Sequence, residues 1–402
     1  MRGRAAGQRG SGAVCSHLGM DKWAFLSARL LRRSAFLPPG CPAARLPRYN
    51  CPMLKRVYIE TYGCQMNVAD SELMFGVLGR EGYARADRPE DADVMLVNTC
   101  AVREKGPTAF VTVQRGCDYR CTFCIVPQTR GPERSRRLAD VEREVTGLVG
   151  QGATEVTLLG QTVNSYHDGE HDFADLLRAV GGIDGLRRIR FTSPYPTDFT
   201  PRVVEAIATT PAVCEHVHLP VQSGSNSVLR RMLRRYTRER YLEVVAELRG
   251  AVPGITLSTD LIVGFPGETE EQFDATLSLV TQADFDDAYT FKYSVREGTP
   301  AVRLKDHVTD EVASDRLDRL IEVVRANVRR KNMARIGQTH EVLVERPARR
   351  GDLMLARTRT NQLVLLDLPA AAIGEYHTVR LTGSTGSTFT GAVVVRAQLA
   401  VL

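Results

Sequence analysis

The chain has 402 residues, 53 Lys and Arg against 47 Asp and Glu, 43% hydrophobic residues and nine cysteines. That length predicts two or three domains around a large core, and no apolar run is long enough to span a bilayer, so no membrane partner is expected. The net charge of +6 is unevenly placed: residues 1–52 hold nine Lys and Arg and one acid, whereas the other 350 residues carry net −2. The basicity therefore belongs to the leader and says little about the folded body. Nine cysteines without paired framework spacing argue for metal use in a reducing compartment rather than for disulfides.

Residues 1–53 form a basic leader rich in Arg, Gly, Ala and Pro, expected to be disordered. Its acid-poor character resembles an organellar transit peptide. The preferred reading is a dispensable extension, with Met53 as the working start and a cytoplasmic, monomeric protein.

Residues 54–106 read as a partial, Rossmann-like α/β unit with strands at 57–61 and 94–98 and a helix at 71–80. Each strand ends at a loop cysteine: Tyr62-Gly63-Cys64-Gln65-Met66-Asn67 and Asn98-Thr99-Cys100-Ala101-Val102-Arg103. Loops that follow parallel strands share one sheet edge, so Cys64 and Cys100 are candidates for a common metal.

Residues 107–336 alternate strand and helix. Strands are predicted at 109–113, 155–159, 188–192, 216–219, 256–263 and 288–291, with helices at 138–150, 173–180, 201–209, 238–249 and 269–282. Six such units predict an open parallel (β/α)6 barrel, with its site at the C-terminal strand ends. Just after the first strand comes Arg115-Gly116-Cys117-Asp118-Tyr119-Arg120-Cys121-Thr122-Phe123-Cys124. Three thiolates leave one metal position open, and no histidine lies near enough in sequence to fill it. A zinc knuckle borrowing a distant ligand is the plainer alternative, but knuckles favour paired CxxC units. The spacing is the signature of radical S-adenosylmethionine (SAM) enzymes, in which Cys117, Cys121 and Cys124 hold a [4Fe-4S] cluster whose fourth iron takes SAM. Phe123 fits the aromatic such enzymes place beside SAM. Polar runs at later strand ends make Gly160, Gln161, Asn164, Gln222, Ser223 and Gly264 candidate SAM contacts.

A long basic helix is predicted at 308–336, including Arg325, Arg329, Arg330 and Lys331. A solvated face and an RNA-contact role are equally good readings of it. In residues 337–402, five short strand-like runs predict a small β-barrel of the size used as a single-strand RNA platform, with Arg346, Arg349, Arg350, Arg357 and Arg359 as a positive face.

Several words now point one way: the two cysteine loops above, Cys124-Ile125-Val126-Pro127, Arg130-Gly131-Pro132-Glu133-Arg134-Ser135-Arg136, and His218-Leu219-Pro220-Val221-Gln222-Ser223-Gly224-Ser225. Together they resemble the radical-SAM methylthiotransferases over about residues 55–399. Within that family the tRNA branch that acts on N(6)-isopentenyladenosine fits best. The enzymes acting on ribosomal protein or threonylcarbamoyl-adenosine differ around the first two cysteine loops. The resemblance implies a C-terminal TRAM domain and a second, auxiliary [4Fe-4S] cluster held in part by Cys64 and Cys100. It also implies SAM as both methyl donor and radical source, the anticodon stem-loop of tRNA as partner, and a small electron-transfer protein as reductant. The family's third auxiliary cysteine falls between the second cysteine loop and the radical-SAM loop. Here only sixteen residues separate Cys100 from Cys117 and none is cysteine, so much of the first domain is expected to be missing. A catalytically impaired relative that binds tRNA and cleaves SAM without methylthiolation is the alternative reading. Gln128 stands where the family usually has an aromatic.

Overall fold

A computed structural model describes residues 55–62, 65–99, 106–348 and 351–394. The basic leader, Cys64, Cys100, Arg349 and Arg350 lie outside the described residues.

The first unit is a three-stranded parallel sheet ordered β2 (Ala84–Arg85), β1 (Arg56–Tyr62), β3 (Val94–Thr99), with α1 (Gln65–Arg80) after β1. Val57 and Ile59 of β1 alternate into a buried face, the period a half-covered strand requires. Among the described residues β3 is an edge strand, with Met95 58% exposed.

The barrel follows the predicted order. β4 (Thr108–Thr112) leads into β5 (Gln114–Arg115), α2 (Val126–Thr129) and β6 (Arg134–Ser135). Then come α3 (Leu138–Val149), β7 (Glu155–Leu159), α4 (Phe173–Gly181), β8 (Arg188–Phe191), α5 (Pro201–Thr209) and β9 (His216–His218). The series ends with α6 (Asn226–Arg231), α7 (Arg238–Ala251), β10 (Thr256–Val263), α8 (Glu270–Ala283) and β11 (Asp287–Lys292). Two parallel sheets, β4-β7-β8 and β9-β10-β11, are joined by a bridge from Ile189 to Val213, so the barrel opens between β4 and β11. Helix starts are set by side-chain caps: Asp172 with Asp175 and Thr269 with Gln272 form reciprocal capping boxes. Val156 and Leu158 of β7 and Leu257 and Leu261 of β10 face the helices in one continuous core. Their strand neighbours point into the lumen.

After α9 (Asp310–Arg335), five strands close a barrel in the order β12 (Thr339–Pro347), β13 (Met354–Thr358), β14 (Leu363–Leu366), β16 (Thr388–Val393), β15 (Tyr376–Ser384). Its core, including Val342, Met354, Val379 and Phe389, is separate from that of the large barrel.

The two barrels nevertheless meet through buried charge. Arg188, fully buried at the start of β8, donates to the Arg357 carbonyl at 2.9 Å and the Glu341 carbonyl at 3.1 Å. Arg190 donates to the carbonyls of Thr358 and Arg359, and Arg359 binds both oxygens of Glu215. The β13–β14 turn thus seals the N-terminal end of the large barrel. This corrects the expected positive face: Arg357 is paired with Glu345 and Arg359 with Glu215. The α9 cations are largely spent as well. Arg316 pairs with Glu268 and Glu270, Arg330 with Asp284, and Lys331 with Asp284 and Asp286. Arg325 and Arg329 have no ion-pair partner among the described residues. They line a cleft of about 570 Å³ with Thr385 and Ser387 of the small barrel.

Candidate functional site

The three-cysteine loop sits at the C-terminal end of β4, where the sequence placed it. A feature not foreseen encloses it: β5 and β6 pair antiparallel, Gln114 with Ser135 and Arg115 with Arg134, closing the loop on itself. Gly116 makes the turn at φ 79°, and a Cβ there would lie 2.1 Å from the Pro132 oxygen, so only glycine fits. Gln114 is the organiser. Its amide donates to the Gly116 carbonyl at 2.8 Å and accepts from the Gln161 and Thr162 amides at 2.8 and 3.2 Å. The Gly116 amide in turn donates to the Gln161 side chain at 2.6 Å.

Each thiol has its own support. Cys117 Sγ stands 3.1 Å from the Thr162 hydroxyl. Cys121 Sγ receives Arg234 Nη1 at 3.6 Å. That guanidinium is fixed by the Pro220 carbonyl, the Tyr236 hydroxyl and the face of Tyr195, 4.5 Å away. The Cys124 amide donates to the Cys121 carbonyl in a tight turn, and Thr122 is tied to Met232 and Arg231. Tyr119 stacks on Tyr195 at 3.7 Å and donates to Asp198 at 2.7 Å. Burial pushes the Cys117 and Cys124 thiols up, partly offset by hydrogen bonds to Thr162 and to the Val126 backbone respectively.

The predicted SAM contacts divide into two groups. Gly160, Gln161, Gln222, Ser223 and Gly264 all lie at C-terminal strand ends on the same side as the cysteine loop, and Phe123 packs edge-on to Phe265. A Cβ at Gly160 would lie 2.7 Å from Gln114 Oε1, so its glycine keeps the Gln114 hub in place. Gln222 is held at φ 71° between the Asp260 carbonyl and the Ile262 amide. Ser223 is buried beside Thr276, and the Gly264 amide donates to the buried Glu268 at 2.7 Å. Asn164 differs from the others: it is buried, and both ends of its amide are used by the Tyr195 backbone, at 2.7 and 2.9 Å. It braces the Tyr195 backbone, with one N–H and one lone pair of its amide still free of these bonds. Gln128 donates to the Gly298 carbonyl at 2.6 Å, so it ties α2 to the loop after β11. Sequence reasoning missed Gln114, Thr162 and Arg234, because their partners lie as many as 113 residues away along the chain.

The donor set fits an iron–sulfur cluster: three free thiols in one loop, Cys121 buried and Cys117 and Cys124 half-buried, the latter two each sensing the charge of Cys121, with a fixed cation beside them. No three His, Cys, Asp or Glu side chains among the described residues crowd one point as a lone ion requires. The corner ligands of a cubane stand farther apart than that.

A triad of thiols at the mouth of an open parallel barrel defines a radical-SAM enzyme, and comparison agrees. The Radical SAM superfamily matches residues 111–280, the uncharacterized protein family UPF0004 residues 56–116, and the TRAM domain residues 334–394. The tRNA-2-methylthio-N(6)-dimethylallyladenosine synthase of Clostridium botulinum strain Langeland is 38% identical over 431 positions, covering 83% of this chain and 96% of that protein. The synthase of Anoxybacillus flavithermus is 38% identical over 440 positions, with 85% and 83% covered. Among solved structures, the radical-SAM coproporphyrinogen III oxidase of Escherichia coli aligns with TM-score 0.44 at 15% identity, covering 73% of this chain and 74% of that one. The chain belongs to the MiaB-like radical-SAM methylthiotransferases. Its cofactors are accordingly SAM and [4Fe-4S] iron–sulfur. The Clostridium alignment spans 431 positions yet takes in only 83% of 402 residues, so that relative carries residues with no counterpart here.

Proposed function

We propose that this chain modifies tRNA, placing a methylthio group on carbon-2 of N(6)-isopentenyladenosine beside the anticodon. The observation that carries the reading is the Cys117, Cys121 and Cys124 loop at the mouth of the open barrel, in a chain that shares 38% identity with synthases named for that product. When bound, the cluster and SAM supply a carbon radical able to take hydrogen from a bond that acid–base catalysis leaves untouched. The residues of the chain hold and orient. Thr162 and Arg234 fix two of the three sulfurs, and the tight turn from the Cys121 carbonyl to the Cys124 amide sets the third. The Glu268–Arg316 pair anchors the loop at Gly264. Gly160, Gln161, Gln222 and Ser223 rim the SAM side.

Cys64 and Cys100 are the proposed ligands of the auxiliary cluster that furnishes sulfur. The absence of any cysteine in residues 101–116 favours a second reading beside the first: the same enzyme, impaired, with SAM cleaved to little product. Cys214 offers no replacement. It is buried before β9, at the barrel end opposite the cysteine loop. Supply of electrons by a small electron-transfer protein, action as a monomer and a place in the cytoplasm complete the proposal.

The test is to incubate anaerobically reconstituted protein with isopentenylated tRNA, SAM and reductant, then digest the tRNA and weigh its nucleosides. Methylthio product should be slight from this chain and should rise when a first domain with the third cysteine is grafted in. Absence of product from the grafted protein overturns the reaction. A methylthiolated threonylcarbamoyl-adenosine would reassign the substrate.

A further inference from the structure

The lumen of the large barrel holds a polar and aromatic wall that none of the thiol chemistry uses. On β9, β10 and β11 the lumen-facing positions run His216 and His218, then Ser258, Asp260 and Ile262, then Asp287, Tyr289 and Phe291. The ladder sets Ser258 opposite His218 and Asp260 opposite Tyr289. His218 bridges the strands: Nδ1 meets Ser258 Oγ at 3.0 Å, and Nε2 meets Asp260 Oδ1 at 3.4 Å. The Tyr289 ring stands edge-on to His218, with centroids 5.6 Å apart. His218 is the only side-chain partner of Asp260 among the described residues, so Oδ2 is left for a ligand. Tyr289 is 52% exposed, and across the barrel opening Phe110 on β4 is 53% exposed. Below this wall the small barrel's turn closes the end: Thr256 donates to the Thr360 carbonyl at 2.8 Å, and Asn361 touches His216 at 3.5 Å.

A carboxylate with one oxygen turned toward His218 and the other unpartnered among the described residues, beside an open aromatic face, suits a flat base with an exocyclic N–H. The carboxylate accepts that hydrogen, and the ring takes the base's face. We propose that Asp260 and Tyr289 read the adenine edge and face of the RNA base inside the barrel, with His218 as the positioning residue that aims Asp260. The inference rests on the tRNA reading above and deepens it. SAM also carries adenine. The Asp260 carbonyl accepts from the amide of Gln222 on the rim. The Asp260 side chain shares the lumen wall with Tyr289, where the small barrel's turn closes the end, and SAM affinity measured beside RNA affinity separates the two sources of adenine.

The test uses cluster-loaded full-length protein and synthetic anticodon stem-loops whose target base is isopentenyladenosine or its analogue lacking the exocyclic N–H. Fluorescence anisotropy should show the intact chain favouring the first loop by ~10-fold. Asp260→Ala should erase that preference, Tyr289→Leu should weaken both loops alike, and His218→Gln should fall between intact chain and Asp260→Ala. Iron content and thermal midpoint establish that each variant is folded and loaded, and SAM affinity is measured alongside. If Asp260→Ala keeps the preference, or loses SAM affinity instead, the assignment is overturned while the tRNA reading stands. If the intact chain binds neither loop, both fall.

Discussion

Cys117 Sγ and the Thr162 hydroxyl lie 3.1 Å apart, joining the loop after β4 to the loop after β7. One sulfur of the thiol triad is therefore aimed by the neighbouring βα unit, through Gln114 and Gln161, rather than by its own loop alone. Outer partners of metal ligands typically govern affinity by 10- to 100-fold. Thr162→Val should form the cluster but release iron about 10-fold faster under a chelator, followed by the decay of visible absorbance. Release at the rate of the unaltered protein would mean the contact is incidental.

The small barrel is fastened to the large one by charge, so removing it is not a clean cut. Glu155 is buried 3.8 Å from Arg188 and 3.0 Å from Arg190, both of which also depend on carbonyls of β12, β13 and the following turn. Glu155→Ala leaves the buried Arg190 without its carboxylate and Arg188 with Glu341 alone, and should cost about 3 kcal/mol in urea unfolding. Deleting residues 337–402 should lower the thermal midpoint of the large barrel as well as weaken tRNA binding. Equal stability of the truncated and full chains would contradict that fastening.

His216 gives the same interface a dependence on pH. Burial, with Arg190, His218 and Arg357 nearby, lowers its pKa from the ordinary 6.5 to about 3. Above 6.5 both folded and unfolded chains hold it neutral, and it contributes nothing. Between 6.5 and about 3 only the unfolded chain takes the proton, so stability falls as pH falls, by up to about 1.4 kcal/mol per pH unit. Urea midpoints for the protein and for His216→Gln should diverge below pH 6.5, with the variant losing less. Parallel curves would remove His216 as the cause.

On the outer face, Arg325 and Arg329 are the α9 cations left for phosphate, in the cleft shared with Thr385 and Ser387. Replacing both with Gln should reduce the salt dependence of tRNA binding by a slope of about 2, without altering iron content. An unchanged slope would move the RNA path elsewhere.

How much of this was readable from sequence depends on the range of the interaction. The thiol triad, the six barrel strands and the five C-terminal strands are local patterns of spacing and alternation, and the fold carries all of them. Arg357 and Arg359 read as an exposed positive face because Arg on a small barrel ordinarily meets solvent. Their partners Glu345 and Glu215 lie 12 and 144 residues away, and the second of these is invisible to any local pattern. The bracing role of Asn164 was hidden for the same reason: its two hydrogen bonds to the Tyr195 backbone, 31 residues on, leave no local trace. The β5–β6 clasp of two residues per strand is too short to leave a periodic signal.

The most direct measurement is reductive cleavage of SAM by anaerobically reconstituted protein, with 5′-deoxyadenosine followed by chromatography. The account predicts steady formation of 5′-deoxyadenosine by the chain as it stands. It predicts none from Cys121→Ala, nor from the protein with alanine at 117, 121 and 124, although circular dichroism should show both folded. Undiminished cleavage by the triple variant would contradict the assignment of Cys117, Cys121 and Cys124 as the cluster that works on SAM.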